Sequence, residues 1–148
     1  PLWVGLAVIP AVLLVTDRHA LRTVDYSLLL TFVFFFVFAG NMARIDAVRD
    51  FFSALMDKNT LLYSALSCQV ISNVPSAILL SQFTQNYAEL LRGVNIGGAG
   101  TLIASLASLI TFNEYIRHEP KGAKRFIIEF SAFNFAFLAV LLVIFSIF

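Results

Sequence analysis

Ser72-Asn73-Val74-Pro75 sits near the centre of an uncharged run of thirty residues, 59–88. A second interruption follows at Asn95-Ile96-Gly97-Gly98-Ala99-Gly100-Thr101. These two stretches decide how the chain is read. Thirty residues overfill one bilayer crossing of about 20 and fall short of two plus a turn. Pro75 removes a backbone donor and disfavours helix at the residue before it. Asn and Ser favour caps and turns. The run therefore reads as two helices of roughly 12–14 residues meeting at a polar tip. In the second stretch, Gly97, Gly98 and Gly100 each cost about 1 kcal/mol relative to Ala in a helix. That stretch reads as a helix with an unwound centre.

Working outward, the rest of the chain is apolar in the same way. Hydrophobic residues make up 59% of it and charged residues 13%, about half the usual share of a soluble domain. Residues 1–16, 26–43, 93–113 and 130–148 also hold no Asp, Glu, Lys or Arg. A soluble helix needs a charged outer face, so the expected surroundings are lipid or other apolar helices. Spans are expected at 1–16, 26–43 and 126–148, with Asp25 as N-cap of the second. Residues 44–58 place Ile45, Val48, Phe51, Phe52 and Leu55 at helical spacing among charges, which predicts an amphipathic interfacial helix. The hairpin is expected at 59–86 and the broken helix at 87–116. The fold class expected is all-α and integral to a membrane.

Several chemistries are excluded. Gly93 and Gly98 have P-loop spacing, but Ala99 follows where Lys is required, and no strand precedes a dinucleotide fingerprint. Cys68 is alone, and His19 and His118 are far apart, so no metal cluster is expected. A net charge of +1 gives no footprint for nucleic acid. No enzyme and no cofactor are expected. Gly93-x-x-x-Gly97 also fits a close helix-packing motif. Gln69 could face a cavity or brace the hairpin, Asn134 is expected to bond to another helix, and Glu129 to pair with Arg125.

Non-helical backbone at membrane depth persists only where it is buried in protein or lines a polar cavity. The helices resuming near Pro75 and near Thr101 would aim N-termini at one centre, which suits an anion. Freed carbonyls suit a cation. The candidate binding residues are Ser72, Asn73, Val74, Pro75, Asn95, Gly97, Gly98, Gly100 and Thr101. A cation, Na+ in the resemblance described next, would be held by backbone near Ser72, Asn73, Asn95 and Gly98.

Ser72-Asn73-Val74-Pro75, then Gly93-Val94-Asn95-Ile96-Gly97-Gly98 running into Thr101-Leu102-Ile103-Ala104, resembles the second inverted repeat of the ion transporter superfamily. Asp25-Tyr26-Ser27-Leu28-Leu29-Leu30, opening a Phe-rich span that ends Ala39-Gly40-Asn41-Met42, resembles it too. That group contains citrate and dicarboxylate transporters, arsenite efflux permeases and sodium/proton antiporters. The resemblance implies one half of an inverted-repeat secondary transporter, with Na+ or H+ as coupling ion. In the dicarboxylate branch the tip reads Ser-Asn-Thr and contacts sodium and substrate carboxylate. Ser72 and Asn73 carry over, and Val74 stands in place of Thr. The arsenite permeases carry Pro and a charged residue near the break, where Gly98, Ala99 and Gly100 stand here.

The expected partners are a small anion, the bilayer and an N-terminal repeat preceding this one, with a second copy of the chain as a further option. Lys and Arg placement puts 17–25 and 117–125 on the cytoplasmic side of the cell membrane and the C-terminus outside. Arsenite or antimonite efflux and sodium/proton antiport are alternative functions. A non-transporting scaffold or channel subunit is an alternative of another class.

Overall fold

The computed structural model describes residues 2–147. Pro1 and Phe148, the outermost residues of the two terminal spans expected from sequence, lie outside them. The described residues are helical, with no strand among them: α1 (Leu2–Thr16), α2 (Arg18–Thr23), α3 (Tyr26–Met42), α4 (Asp46–Ile71), α5 (Asn73–Leu80), α6 (Tyr87–Gly97), α7 (Leu106–His118) and α8 (Ala123–Ile147). Short 3-10 turns occupy Leu102–Ala104 and Pro120–Gly122.

The chain forms two compact units, one up to Phe34 and one from Phe35 onward. In the first unit, helix starts are set by aspartates. Asp17 Oδ1 accepts from the His19 amide at 2.9 Å, and Asp25 Oδ1 accepts from the Leu28 amide at 2.9 Å. Asp25 therefore caps α3, as its place before the apolar run predicts.

The second unit is built around α4. This helix is broken at Asn59, whose backbone is extended. Asn59 Oδ1 accepts from the Leu62 amide at 2.8 Å, so the side chain that ends one helix caps the next. The half before Asn59 is amphipathic. Val48, Phe52 and Leu55 pack on the core, while Asp46 pairs with Arg49 at 2.6 Å on the outside. Phe51 and Ile45 stay exposed. The half after Asn59, residues 60–71, is the first arm of a hairpin. The chain turns at Ser72 and α5 returns along α4, so that Phe83 stacks on Phe52 at 5.1 Å between ring centroids. Met56, Cys68, Leu79, Leu80, Phe83, Leu90 and Val94 form the core between α4, α5 and α6.

The α4–α6 contact is a backbone contact. A Cβ on Gly93 would overlap the Leu61 carbonyl and Ser64 Oγ. One on Gly97 would lie 2.7 Å from both Cα and O of Ala65. Leu61, Ala65 and Ser64, Cys68 repeat at four-residue spacing, as do the two glycines, so two small-residue ridges meet. Gly93-x-x-x-Gly97 is thus a packing motif, and the unwound segment begins after it.

Helix α8 packs on α4 and α6 through a second, smaller cluster of Leu138 with Leu61 and Ile96. Together with its preceding turn, over Pro120–Phe145, it is the one helix among the described residues long and apolar enough by itself to cross a bilayer. The pair α3 and α4 meets that test only jointly, and α1 is a shorter apolar helix. Asn134 donates to the Phe130 carbonyl at 2.9 Å, within its own helix, in place of the interhelical bond expected. Arg125 and Glu129 pair at 2.7 Å across one turn, as their spacing predicts. The outer faces remain apolar: Phe133 is 77% exposed and Val70 72%.

Substituting Gly97→Ala is expected to lower unfolding stability by about 1–3 kcal/mol, because Ala65 backbone cannot yield as a side chain would. Gly40→Ala, with no atom within 4 Å of the new Cβ, should leave the thermal midpoint unchanged or raise it. Thermal unfolding of the purified variants in detergent compares the two.

Candidate functional site: the hairpin tip and the broken helix

Ser72 is the hinge of the hairpin. Its φ of 72° makes it the one non-glycine residue with positive φ among the described residues. With ψ at 160°, it occupies a region that side chains rarely adopt, at a cost of about 1–3 kcal/mol. The turn is fixed on both sides. The Ser72 amide donates to the Cys68 carbonyl at 3.1 Å, and the Ser72 carbonyl accepts from the Ser76 amide at 3.1 Å. Ser72 Oγ reaches forward to the Ala104 carbonyl at 3.4 Å.

Asn73 and Val74 open α5. Asn73 Oδ1 accepts from the Val74 amide at 2.9 Å. Pro75 follows in the first turn, where its missing donor leaves no intrahelical bond unmade. The other end of the Asn73 amide faces the break: a Cβ on Gly98 would come within 3.2 Å of Asn73 Nδ2. Among the described residues this nitrogen has no hydrogen-bond acceptor. Ser76, one turn on, is fully buried and its Oγ is unpaired, the one such side-chain atom among the described residues.

The break runs from Gly98 to Ser105. Gly100 has φ 116°, and a side chain there would also collide with the carboxamide of Gln69. Gln69 organises the whole segment. Its Nε2 donates to the carbonyls of Ala65 at 3.1 Å, Gly97 at 2.7 Å and Ala99 at 3.0 Å. Its Oε1 accepts from the Thr101 amide at 2.9 Å, and its own carbonyl accepts from Thr101 Oγ1 at 3.1 Å. The Thr101 amide can only donate and the three carbonyls can only accept, so one orientation of the carboxamide is satisfied and the flipped one is not. Gln69 braces the break, which settles the choice that its position alone leaves open. The sequence signal for this role is slight: one Gln in an uncharged arm that also holds Thr60, Ser64 and Ser67, one turn after Ala65.

Helix resumes at Leu106, later than Thr101. The Thr101 amide and hydroxyl are both turned to Gln69, and the hydroxyl caps no helix. Ser105 does, its Oγ accepting from the Ala107 amide at 3.2 Å.

The tip and the break therefore bring together Ser72, Asn73, Gly98, Gly100 and Thr101. Val74 lies beside them, 45% exposed. Gly97 is buried against Ala65 and its carbonyl is occupied by Gln69. Asn95 is not brought to the tip. It is exposed, two positions from each ridge glycine, and its Nδ2 donates back to Leu91 at 2.8 Å. No acidic, basic or histidine side chain lies in residues 60–83 or 98–105. Among the described residues no group of His, Cys, Asp or Glu could hold a metal ion.

Comparison with known proteins gives two relatives. The chain is 47% identical over 88 residues to an uncharacterized transporter of Methanocaldococcus jannaschii, covering 60% of this chain and 25% of that protein. It is 36% identical over 112 residues to inner membrane protein YbiR of Escherichia coli, covering 74% of this chain and 30% of that one. The chain thus spans less than a third of the length of the curated relatives it matches. No protein-family model and no solved structure matches it.

The backbone at the two turns should respond in opposite directions. Gly100→Ala is expected to cost about 1–3 kcal/mol through its positive φ and its collision with Gln69, and Ser72→Gly to gain about 1 kcal/mol by relieving strain. Denaturation of each purified variant against the parent checks both signs.

Proposed function

We propose that this chain is part of a membrane transport protein, and that it forms one half of an ion-coupled secondary transporter for a small anion such as a di- or tricarboxylate. The relatives named as a transporter and as an inner membrane protein support the coarse reading. The observation that carries the finer one is the approach of Asn73 to Gly98. It joins a helical hairpin tip to an unwound helix and points an unpaired amide donor into the junction. Donors without ionised side chains suit an anion at low dielectric, since they avoid the penalty of intramembrane charge.

Lengths fit a re-entrant reading. The arm 60–71 rises about 18 Å, little more than half of a hydrocarbon core of about 30 Å. The tip then lies near mid-depth, with the amphipathic half of α4 at the interface, its exposed Phe51 and Ile45 toward lipid, and α8 crossing the bilayer. Residues 17–25 and 117–125 face the cytoplasm in this arrangement, and the opposing half of the site comes from a repeat elsewhere in the protein. Coupling is to Na+ or H+.

In the full-length protein, Asn73→Ala and Gly98→Leu are each expected to reduce uptake of labelled succinate or citrate in proteoliposomes by about tenfold or more, with insertion into membranes unchanged. Undiminished uptake in both variants would remove the site. Metalloid resistance of expressing cells, or sodium-dependent pH changes in vesicles, would point instead to arsenite efflux or antiport.

A further inference from the structure

We propose that Gln69 is a positioning residue: its neutral carboxamide holds the broken helix in its unwound shape by standing among carbonyl oxygens that a cation would otherwise have to satisfy. Three carbonyls, of Ala65, Gly97 and Ala99, converge on one nitrogen at 2.7–3.1 Å. Nε2 has two hydrogens for three acceptors, so one bond is shared. The Thr101 amide closes the ring on Oε1 at 2.9 Å. The carbonyls of Gly97 and Ala99 are thereby consumed by protein. What the junction leaves unpaired is a donor, Asn73 Nδ2, which faces Gly98.

The bearing of this role on transport rests on the reading of the junction as a transport site. The clamp itself stands on geometry alone.

The chemistry suggests a test in which protons replace the amide. A protonated Glu at this position keeps the acceptor and one O–H donor in place of the amide's two N–H donors. An ionised Glu offers acceptors only, against three carbonyl oxygens. Nothing else near the clamp carries charge. The arm contributes Tyr63, packed in the core cluster, and Cys68, whose thiol faces the Ser64 carbonyl at 3.1 Å. Residues 73–80 and 98–105 hold no titratable group. On α6, Glu89 pairs with Arg92 at 3.0 Å, and on α8 Arg125 pairs with Glu129.

The experiment uses full-length Gln69→Glu, purified in detergent and reconstituted. At about pH 5 its thermal midpoint should approach that of the parent, and at about pH 8.5 it should fall about 4 °C or more below it. Labelled succinate uptake by the variant, taken as a ratio to the parent at each pH, should fall in step with the midpoint. A midpoint offset equal at both pH values, or none at either, overturns the clamp. A pH-dependent midpoint with uptake unaffected supports the clamp and removes its bearing on transport. If Gln69→Glu does not fold, hydrogen exchange on the parent decides: the Thr101 amide should exchange as slowly as the amides of α6, and rapid exchange there overturns the proposal.

Discussion

The second unit depends on how closely α6 can approach the arm of α4. Only Gly93 and Gly97 let the two backbones meet, and everything beyond follows from that distance. Gln69 has a side chain just long enough to reach the carbonyls of Gly97 and Ala99 because Gly97 already lies on Ala65. With a bulkier residue at Gly97, the carboxamide would fall short, and the segment from Gly98 would have no reason to stay unwound. Packing of small residues thus sets up a polar network, and the network in turn presents Gly98 to Asn73.

Helix boundaries in this chain are written locally. Asp25, Asn59, Asn86 and Ser105 each accept a backbone N–H from the turn they begin. Asp25, Asn59 and Ser105 stand where an apolar run starts or restarts, and Asn86 opens the amphipathic α6. This explains why an apolar chain with little amphipathic contrast still divides into discrete helices: side-chain caps supply what the hydrophobic pattern does not.

The hairpin tip and the glycine break were legible because Pro75, Asn73 and the glycine cluster act through their own backbone. The boundary at Asn59 was legible from the loss of charge after Lys58. The clamp was not, because the partners of Gln69 lie 28 to 32 residues further along the chain. No periodicity links them. The restart of helix at Leu106 was displaced from Thr101 for the same reason, since the Thr101 amide and hydroxyl turn to a distant residue, Gln69. Asn134 shows the opposite case: a long-range bond was expected, and a carbonyl one turn back in its own helix took it. Gly93-x-x-x-Gly97 could be read as packing or as part of the break, and the structure divides the glycines between both uses.

The neutrality of the clamp has an electrical consequence. A break held together by a bound cation would carry that charge through the membrane potential, and its shape would shift with voltage at about 2.3 kcal/mol per charge per 100 mV for a full crossing. An amide bound to three carbonyls and one N–H carries no net charge and feels no such force. The segment from Gly98 to Ser105 can therefore keep one geometry with or without a potential across it, and any voltage sensitivity of that segment must reside in what binds to it.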